Sequence, residues 1–123
     1  MNMWQDITPL LNIKFGNLET IEVRDDILYI KINSDPQKMI ISFKDFLSYQ
    51  LTFESYALKI LSEHNLDGKS WVFKSEKGDF YDWFNNQNYG IYGENISTYR
   101  LIFFHHIVEV LSDSFPEIHE INP

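Results

Sequence analysis

The sequence contains no cysteine among its 123 residues. Disulfide bridges, thiolate nucleophiles and cysteine-ligated zinc or iron–sulfur sites are therefore excluded. Long apolar runs are also missing, and the most apolar stretch, residues 101–104, is far shorter than the roughly 18 residues of a membrane span. The first residues carry no basic region followed by an apolar segment, as a secretory signal would. We therefore expect a cytoplasmic protein that does not cross a membrane.

Basic residues are scarce in the C-terminal part of the chain. Residues 78–123 carry seven acidic side chains and a single basic one, Arg100, for a net charge of −6, whereas residues 1–77 have a net charge of −2. This composition argues against a nucleic-acid partner, because phosphates are neutralised by lysine and arginine. It is compatible with a basic protein partner, since opposite potentials steer association. Solubility alone is the other explanation of the charge.

Aromatic residues are abundant, with ten Phe, seven Tyr and three Trp. Such side chains favour pleated surfaces and contribute strongly to buried contacts. The length is close to the commonest size of one domain, and no repeat or Gly/Ser-rich linker divides the chain. We therefore expect a single domain over residues 1–123.

Alternation of apolar and polar residues predicts strands in the first half of the chain. The pattern occurs four times, separated by short polar turns, at residues 18–24, 27–33, 38–44 and 48–54. It predicts an antiparallel meander of four strands that begins with a hairpin across Asp25-Asp26.

The second half combines a helix with a hairpin. Phe80, Trp83 and Phe84 have helical spacing, which predicts a helix within residues 75–88 that docks on the sheet through these three rings. Two strongly alternating segments follow, separated by His105-His106, and they predict a C-terminal hairpin. The expected fold class is α+β: mostly antiparallel β-sheet, a meander plus a C-terminal hairpin, with one or two short helices packed on it.

The predicted hairpin brings two charged residues together. With His105-His106 as its turn, Ile102 lies opposite Glu109, and Arg100 lies diagonal to Glu109 on the same face. A cross-strand ion pair is the expected role of these two side chains. A charged pair at the base of a pocket is the alternative.

No catalytic or metal-binding motif is present in the sequence. His105 and His106 are neighbours on a predicted strand and point to opposite faces, so we expect a polar hairpin tip and not a metal site. Asp79 and Asp82 lie three residues apart on one helix, whereas glycoside hydrolysis needs two carboxylates across a cleft. We therefore expect a protein that is not an enzyme and has no cofactor.

The C-terminal half resembles the immunity-type proteins of bacterial polymorphic-toxin and contact-dependent inhibition systems. The resemblance lies in an aromatic segment, a strand with a central Tyr, a polar turn, and an acidic residue within a short apolar strand before a Pro. The matching residues are Tyr81-Asp82-Trp83-Phe84, Gly90, residues 96–101, residues 107–112 and Pro116. Thr98 stands where the family pattern has His. The resemblance implies a cytosolic, non-enzymatic protein that binds and blocks a toxin domain.

We therefore predict an immunity or inhibitor protein that neutralises a basic toxin domain through an acidic surface. The predicted partner-binding residues are Asp79, Tyr81, Asp82, Glu94 and Glu109. The alternative is a small-ligand-binding domain with an aromatic pocket between helix and sheet.

Overall fold

The computed structural model of the chain describes residues 3–64, 66–91 and 95–121. Within these ranges it has nine β-strands and three short α-helices, with a 3₁₀ turn at Glu54–Tyr56. The strands are β1 (Gln5–Asp6), β2 (Asn17–Arg24), β3 (Ile27–Ser34), β4 (Gln37–Phe43), β5 (Phe46–Phe53), β6 (Val72–Ser75), β7 (Ser97–Ile102), β8 (His106–Ser112) and β9 (Glu117–Ile121), and the helices are α1 (Thr8–Leu11), α2 (Leu58–Ser62) and α3 (Asp79–Gln87). The expected α+β fold of mostly antiparallel sheet is confirmed.

The strands form two antiparallel sheets. One sheet has five strands in the order β1-β6-β7-β8-β5, and the other has four in the order β2-β3-β4-β9. The predicted four-strand meander is therefore wrong at its last strand, because β5 leaves the meander and pairs with β8. Its place beside β4 is taken by β9, where Ile41 lies opposite Ile118 in a segment for which no strand was predicted.

The first hairpin has the predicted pairing. Ile21 lies opposite Ile30 and Val23 lies opposite Leu28. Asp25 and Asp26 form the turn with φ angles of 53° and 64°. Positive φ at both central residues is typical of a type I′ turn, whose twist matches that of the two strands it joins.

The C-terminal hairpin pairs β7 with β8, but its register is two residues away from the prediction. Ile102 lies opposite Ile107, and Arg100 lies directly opposite Glu109. The loop is longer than expected because Phe103 leaves the strand and is buried in the core, with its N–H donating to the carbonyl of His106 at 2.8 Å. A shift of two residues keeps every side chain on its predicted face.

The main hydrophobic core lies between the inner faces of the two sheets. Its members include Ile30 and Ile41 from the four-stranded sheet, and Leu101 and Val108 from the five-stranded sheet. The outer face of the five-stranded sheet is covered by α2 and α3, which pack on two smaller apolar clusters. No helix in the described ranges is long and apolar enough to cross a membrane.

Helix α3 is positioned by its first turn. Phe80 is buried and packs with Ile96 and Leu111. Gly78, immediately before the helix, has a φ of +135°, which a residue with a side chain rarely adopts. A β-carbon at Gly78 would make ordinary van der Waals contact with the ring of Trp4 at 3.4 Å, so the backbone angle and not a lack of space favours glycine here.

Candidate functional site

The outer face of the five-stranded sheet carries a polar row in an otherwise apolar setting. Gln50 lies opposite Glu109, Glu109 opposite Arg100, and Arg100 opposite Phe73, on four neighbouring strands. Directly opposite residues share one face, so these side chains stand side by side beneath the helices. Arg100 and Glu109 are each only 3% exposed.

The carboxylate and the guanidinium of this row form a close pair. Arg100 donates from Nε and Nη2 to Glu109 Oε2 at 3.0 and 2.9 Å. Gln50 Nε2 donates to the other oxygen, Oε1, at 2.7 Å. The Arg100 guanidinium carbon also lies 3.8 Å from the centre of the Trp4 ring. Buried charges are retained in proteins when their hydrogen bonds are satisfied in this way.

Glu63 Oε1 lies 3.4 Å from Arg100 Nη1, and His64, just after α2, completes the surroundings of Arg100. Its Nε2 lies 2.8 Å from Arg100 Nη1, and its ring stacks on Phe73 with centroids 4.0 Å apart. An arginine can only donate, so Nε2 is the acceptor and the ring proton is on Nδ1. Burial, and then the nearby positive charge of Arg100, lower the pKa of His64 from 6.5 to about 4, although Glu63 acts in the opposite direction. The imidazole is therefore neutral at pH 7.

The position of Glu109 corrects one predicted partner contact. Its carboxylate is buried beneath the helices and is fully engaged with Arg100 and Gln50. A partner could reach it only by opening the sheet face, so we assign Glu109 to the fold. The expected ion pair with Arg100 is confirmed, in a direct and not a diagonal position.

Helix α3 presents a different kind of surface. Asp79 and Asp82 are exposed, and Trp83 is 51% exposed although its spacing had predicted that it docks on the sheet. Tyr81, predicted to face outward, is instead half-buried against the cluster that contains Phe80. Trp83 therefore replaces Tyr81 as the accessible aromatic residue of this helix.

A cleft between α3 and the edge strand β5 adjoins this surface. It has a volume of about 320 Å³ and is open to solvent. We call it the α3 cleft; its lining consists of Ser48, Tyr49, Gln50, Asp79, Phe80 and Trp83. The Phe80 and Trp83 rings are stacked, with centroids 5.7 Å apart. A carboxylate beside two aromatic rings suits a cationic group, which aromatic faces attract.

One salt bridge stands at the mouth of the α3 cleft. Lys59 of α2 donates to Asp79 Oδ2 at 2.7 Å, and both side chains are more than three-quarters exposed. The bond with Asp79 raises the pKa of Lys59 above its usual value. Exposed pairs of this kind exchange partners readily, because water screens them.

The structure describes the two histidines of the predicted hairpin tip, but the predicted partner-binding residue Glu94 lies outside the described residues. His105 is exposed at the hairpin tip, and His106 begins β8 with its ring 4.9 Å from that of Phe53. In the described ranges no three His, Asp or Glu side chains are grouped as metal ligands would be.

A second groove has the opposite charge. It lies beside α1, has a volume of about 440 Å³, and its charged lining residues are Lys14 and Lys69. A basic partner would not be attracted to two lysines, and no aromatic ring of the described residues lines this groove. The α3 cleft is therefore the better match to the acidic composition of the C-terminal half.

Comparison with family models, curated proteins and solved structures finds no match to this chain. The helical spacing in the sequence already indicated that Asp79, Asp82 and Trp83 lie within about one helix turn of each other. No sequence pattern pointed to His64 or Trp4, which contact Arg100 only because the fold brings distant segments together.

Proposed function

We propose that this chain is a non-enzymatic, cytoplasmic binding protein that neutralises a basic toxin domain, as its resemblance to immunity-type proteins implies. The observation that carries the proposal is the α3 cleft, where the half-exposed Trp83 stands beside the carboxylates of Asp79 and Asp82. We call the cleft together with Asp82 the α3 surface.

The chemistry of the α3 surface favours a lysine or arginine side chain of a partner. Trp is among the residues that contribute most to protein–protein affinity, and an indole face attracts a cation. Asp79 supplies a carboxylate in the cleft, and Gln50 and Ser48 supply polar groups on the opposite wall. An incoming cation would replace Lys59 at Asp79, at little cost since that salt bridge is exposed.

The two carboxylates and the indole have different expected roles. Charges at the rim of an interface mainly raise the association rate, and salt removes that gain. A central aromatic anchor mainly slows dissociation. The proposal therefore predicts that Asp82→Lys lowers the association rate and its salt dependence, whereas Trp83→Ala raises the dissociation rate.

The proposal predicts that a gene adjacent to the one that encodes this chain encodes a toxin-like domain, and the test uses the product of that gene. Pull-down identifies the complex, and surface-bound kinetics at several salt concentrations then compare the wild type with Asp82→Lys and Trp83→Ala. Glu120→Lys is the matched control, because it makes the same change of charge on β9 in the other sheet. Equal kinetics for all four proteins would refute the proposed surface.

A second candidate function uses the same cleft. Its volume of about 320 Å³ is at the lower end of small-molecule sites, and its aromatic lining between helix and sheet is that of the predicted ligand pocket. A small organic cation would then be the ligand. Chemical-shift changes on adding organic cations, confined to Trp83 and its neighbours and without any protein partner, would favour this alternative.

A further inference from the structure

Strand β5 forms one edge of the five-stranded sheet and has an unusual sequence for an edge. Its eight residues, Phe46–Phe53, include no charged residue and no proline. Tyr49, Leu51 and Phe53 are 37%, 47% and 56% exposed. Proteins normally protect such an edge with charges, proline, bulges or very short strands, because unpaired backbone groups invite another strand.

The other sheet edges of the described chain carry these protections. β1 has two residues. β2 has three charged residues and a bulge between Leu18 and Thr20. β9 has two glutamates among its five residues. β5 alone among the four combines full length with an uncharged, apolar surface, although its own bulge near Phe46 bends one end.

The backbone of β5 offers its free hydrogen bonds at the same residues that carry the apolar side chains. Phe53 lies opposite His106, and the N–H of the next residue, Glu54, donates to the carbonyl of His105 at 3.0 Å. This pattern makes Phe53 and His106 a non-hydrogen-bonded pair, and the two types of pair alternate along an antiparallel ladder. The N–H and C=O groups of Tyr49, Leu51 and Phe53 therefore point away from β8.

This coincidence makes β5 complementary to itself. When a second copy adds its own β5 in antiparallel fashion, residues whose N–H and C=O groups point outward on one strand must lie opposite residues of the same kind on the other. In the register centred on Gln50, Tyr49 of one copy lies opposite Leu51 of the other and Phe53 lies opposite the exposed Leu47, so no charged residue of β5 is buried. The remaining surface of a chain with net charge −8 repels its own copies, so this uncharged edge is where they can approach.

We propose that two copies of this chain pair through β5, edge to edge about a twofold axis at Gln50, to form one continuous ten-stranded sheet. Tyr49 of each copy then lies beside Leu51 of the other, and the contact closes on itself as a twofold interface does. The three apolar side chains supply on the order of 300 Å² per copy, well below the about 800 Å² of a standard interface. The dimer is therefore weak and concentration-dependent.

The first test is sedimentation of the full chain from about 10 µM to about 1 mM, the range in which interfaces of this size associate. The wild type is expected to shift from monomer to dimer, and Leu51→Lys to raise the dissociation constant at least tenfold. Val23→Lys on β2 is the control, since Val23 is also 47% exposed on an edge strand and should leave the dimer unchanged.

The second test locates the contact and uses the absence of native cysteine. Gln50→Cys, on the proposed axis, brings two cysteines to a Cα separation of about 4.5 Å, which a disulfide can bridge. Oxidative cross-linking of Gln50→Cys, or of Tyr49→Cys or Leu51→Cys if the axis passes through a neighbour, supports pairing through β5. Glu22→Cys on β2 is the control and should not cross-link.

Two results would overturn the proposal. One is that the wild type stays monomeric over the whole concentration range and that no cysteine at residues 49 to 51 cross-links. The β5 edge would then be available only to a strand of a different protein. The other is a dimer that Leu51→Lys does not weaken. Tyr49 and Gln50 also line the α3 cleft, but Leu51 does not. Leu51→Lys therefore tests the dimer and Trp83→Ala, on α3, tests the proposed function, so the two proposals fail separately.

Discussion

Two regions on the outer face of the five-stranded sheet carry carboxylates of the same acidic half, and they use them in opposite ways. In the polar row, Glu109 is buried and bound to Arg100 and Gln50. On α3, Asp79 and Asp82 are exposed beside the half-exposed Trp83. The first region ties strands together, whereas the second presents charge and an aromatic ring to the surroundings.

The difference shows that net charge alone does not define a binding surface. A carboxylate on a strand faces whatever covers that side of the sheet, and at Glu109 the cover is protein. Carboxylates in the first turn of a surface helix remain in water and also interact favourably with the helix dipole. Among the three predicted partner-binding carboxylates that the structure describes, burial therefore separates Glu109, which serves the fold, from Asp79 and Asp82, which are available for contact.

The largest expected effect separates the two regions by stability. Glu109→Ala leaves the buried Arg100 guanidinium with only the longer, partly exposed contact to Glu63 at 3.4 Å, and breaking a buried ion pair typically costs about 3–5 kcal/mol. Denaturant unfolding of this variant should therefore show a large loss of free energy of unfolding. The control Asp82→Ala should change it by less than about 0.5 kcal/mol, as surface substitutions do. Similar losses of unfolding free energy for both variants would contradict the distinction between the buried row and the α3 surface.

Removing both members of the buried pair sharpens the same point. Arg100→Met combined with Glu109→Leu replaces the two charges by apolar groups of similar size. Such replacements are often neutral or stabilising, because neither charge must be desolvated. The double variant should therefore be more stable than Glu109→Ala. A double variant as unstable as the single one would mean that the row depends on more than its charges.

The next effect concerns the α3 surface. Trp83→Ala should weaken toxin binding by about 2 kcal/mol or more, the usual loss at a central aromatic anchor. Tyr81→Phe is the matched control, because it keeps the ring in the cluster around Phe80. Isothermal titration of both variants measures the difference. If Trp83→Ala binds as tightly as the wild type, the anchor lies elsewhere.

A smaller effect is expected from the pH dependence of the Arg100 region. The pKa of His64 is about 4 in the fold and near 6.5 in the unfolded chain. The unfolded chain therefore binds the proton first as the pH falls. The stabilisation is complete above pH 6.5 and is lost between pH 6.5 and about 4. The ring is only partly buried, so we expect a loss of about 1–2 kcal/mol.

The comparison of wild type with His64→Gln isolates this loss. Glutamine can accept from Arg100 through its side-chain oxygen but does not titrate. The difference in unfolding free energy between the two proteins should therefore narrow as the pH falls from 6.5 to 4. His119→Gln is the control, since His119 is exposed on β9. A pH-independent difference would contradict the assigned role of His64.

The smallest effect is electrostatic steering at the α3 surface. Asp79→Lys and Asp82→Lys should slow association with a basic partner by a few-fold at low salt, and the effect should fade as the ionic strength rises. Stopped-flow measurements at two salt concentrations would detect it. A slowing that is the same at high and low salt would point to altered contacts instead of steering.

Local patterns predicted much of this fold. Period-two alternation identified the strands around Ile21, Ile30 and Ile41, and it placed Arg100 and Glu109 on one face even though the register was two residues off. Alternation reports which face a side chain occupies, and a shift of two preserves that face. The polar turns likewise predicted the hairpin between β2 and β3.

The pairing of strands that are distant in sequence could not be predicted from the sequence. Nothing local indicates that β5 joins β8 or that Ile118 pairs with Ile41, because such contacts depend on the packing of the whole chain. His64 is 36 residues from Arg100, and no pattern connects them. Trp83 shows the limit of helical spacing, which identifies a common side of a helix but not how far the sheet extends beneath it.

The most direct test of the account is neutralisation. The activity of the toxin domain that the proposal expects from the adjacent gene is titrated with the wild type, with Trp83→Ala/Asp82→Lys and with the control Glu120→Lys, each first shown to be folded by its unfolding curve. We predict that the wild type and Glu120→Lys abolish the activity at equal ratios, whereas the α3 double variant leaves most of it. Full neutralisation by the double variant would contradict the account.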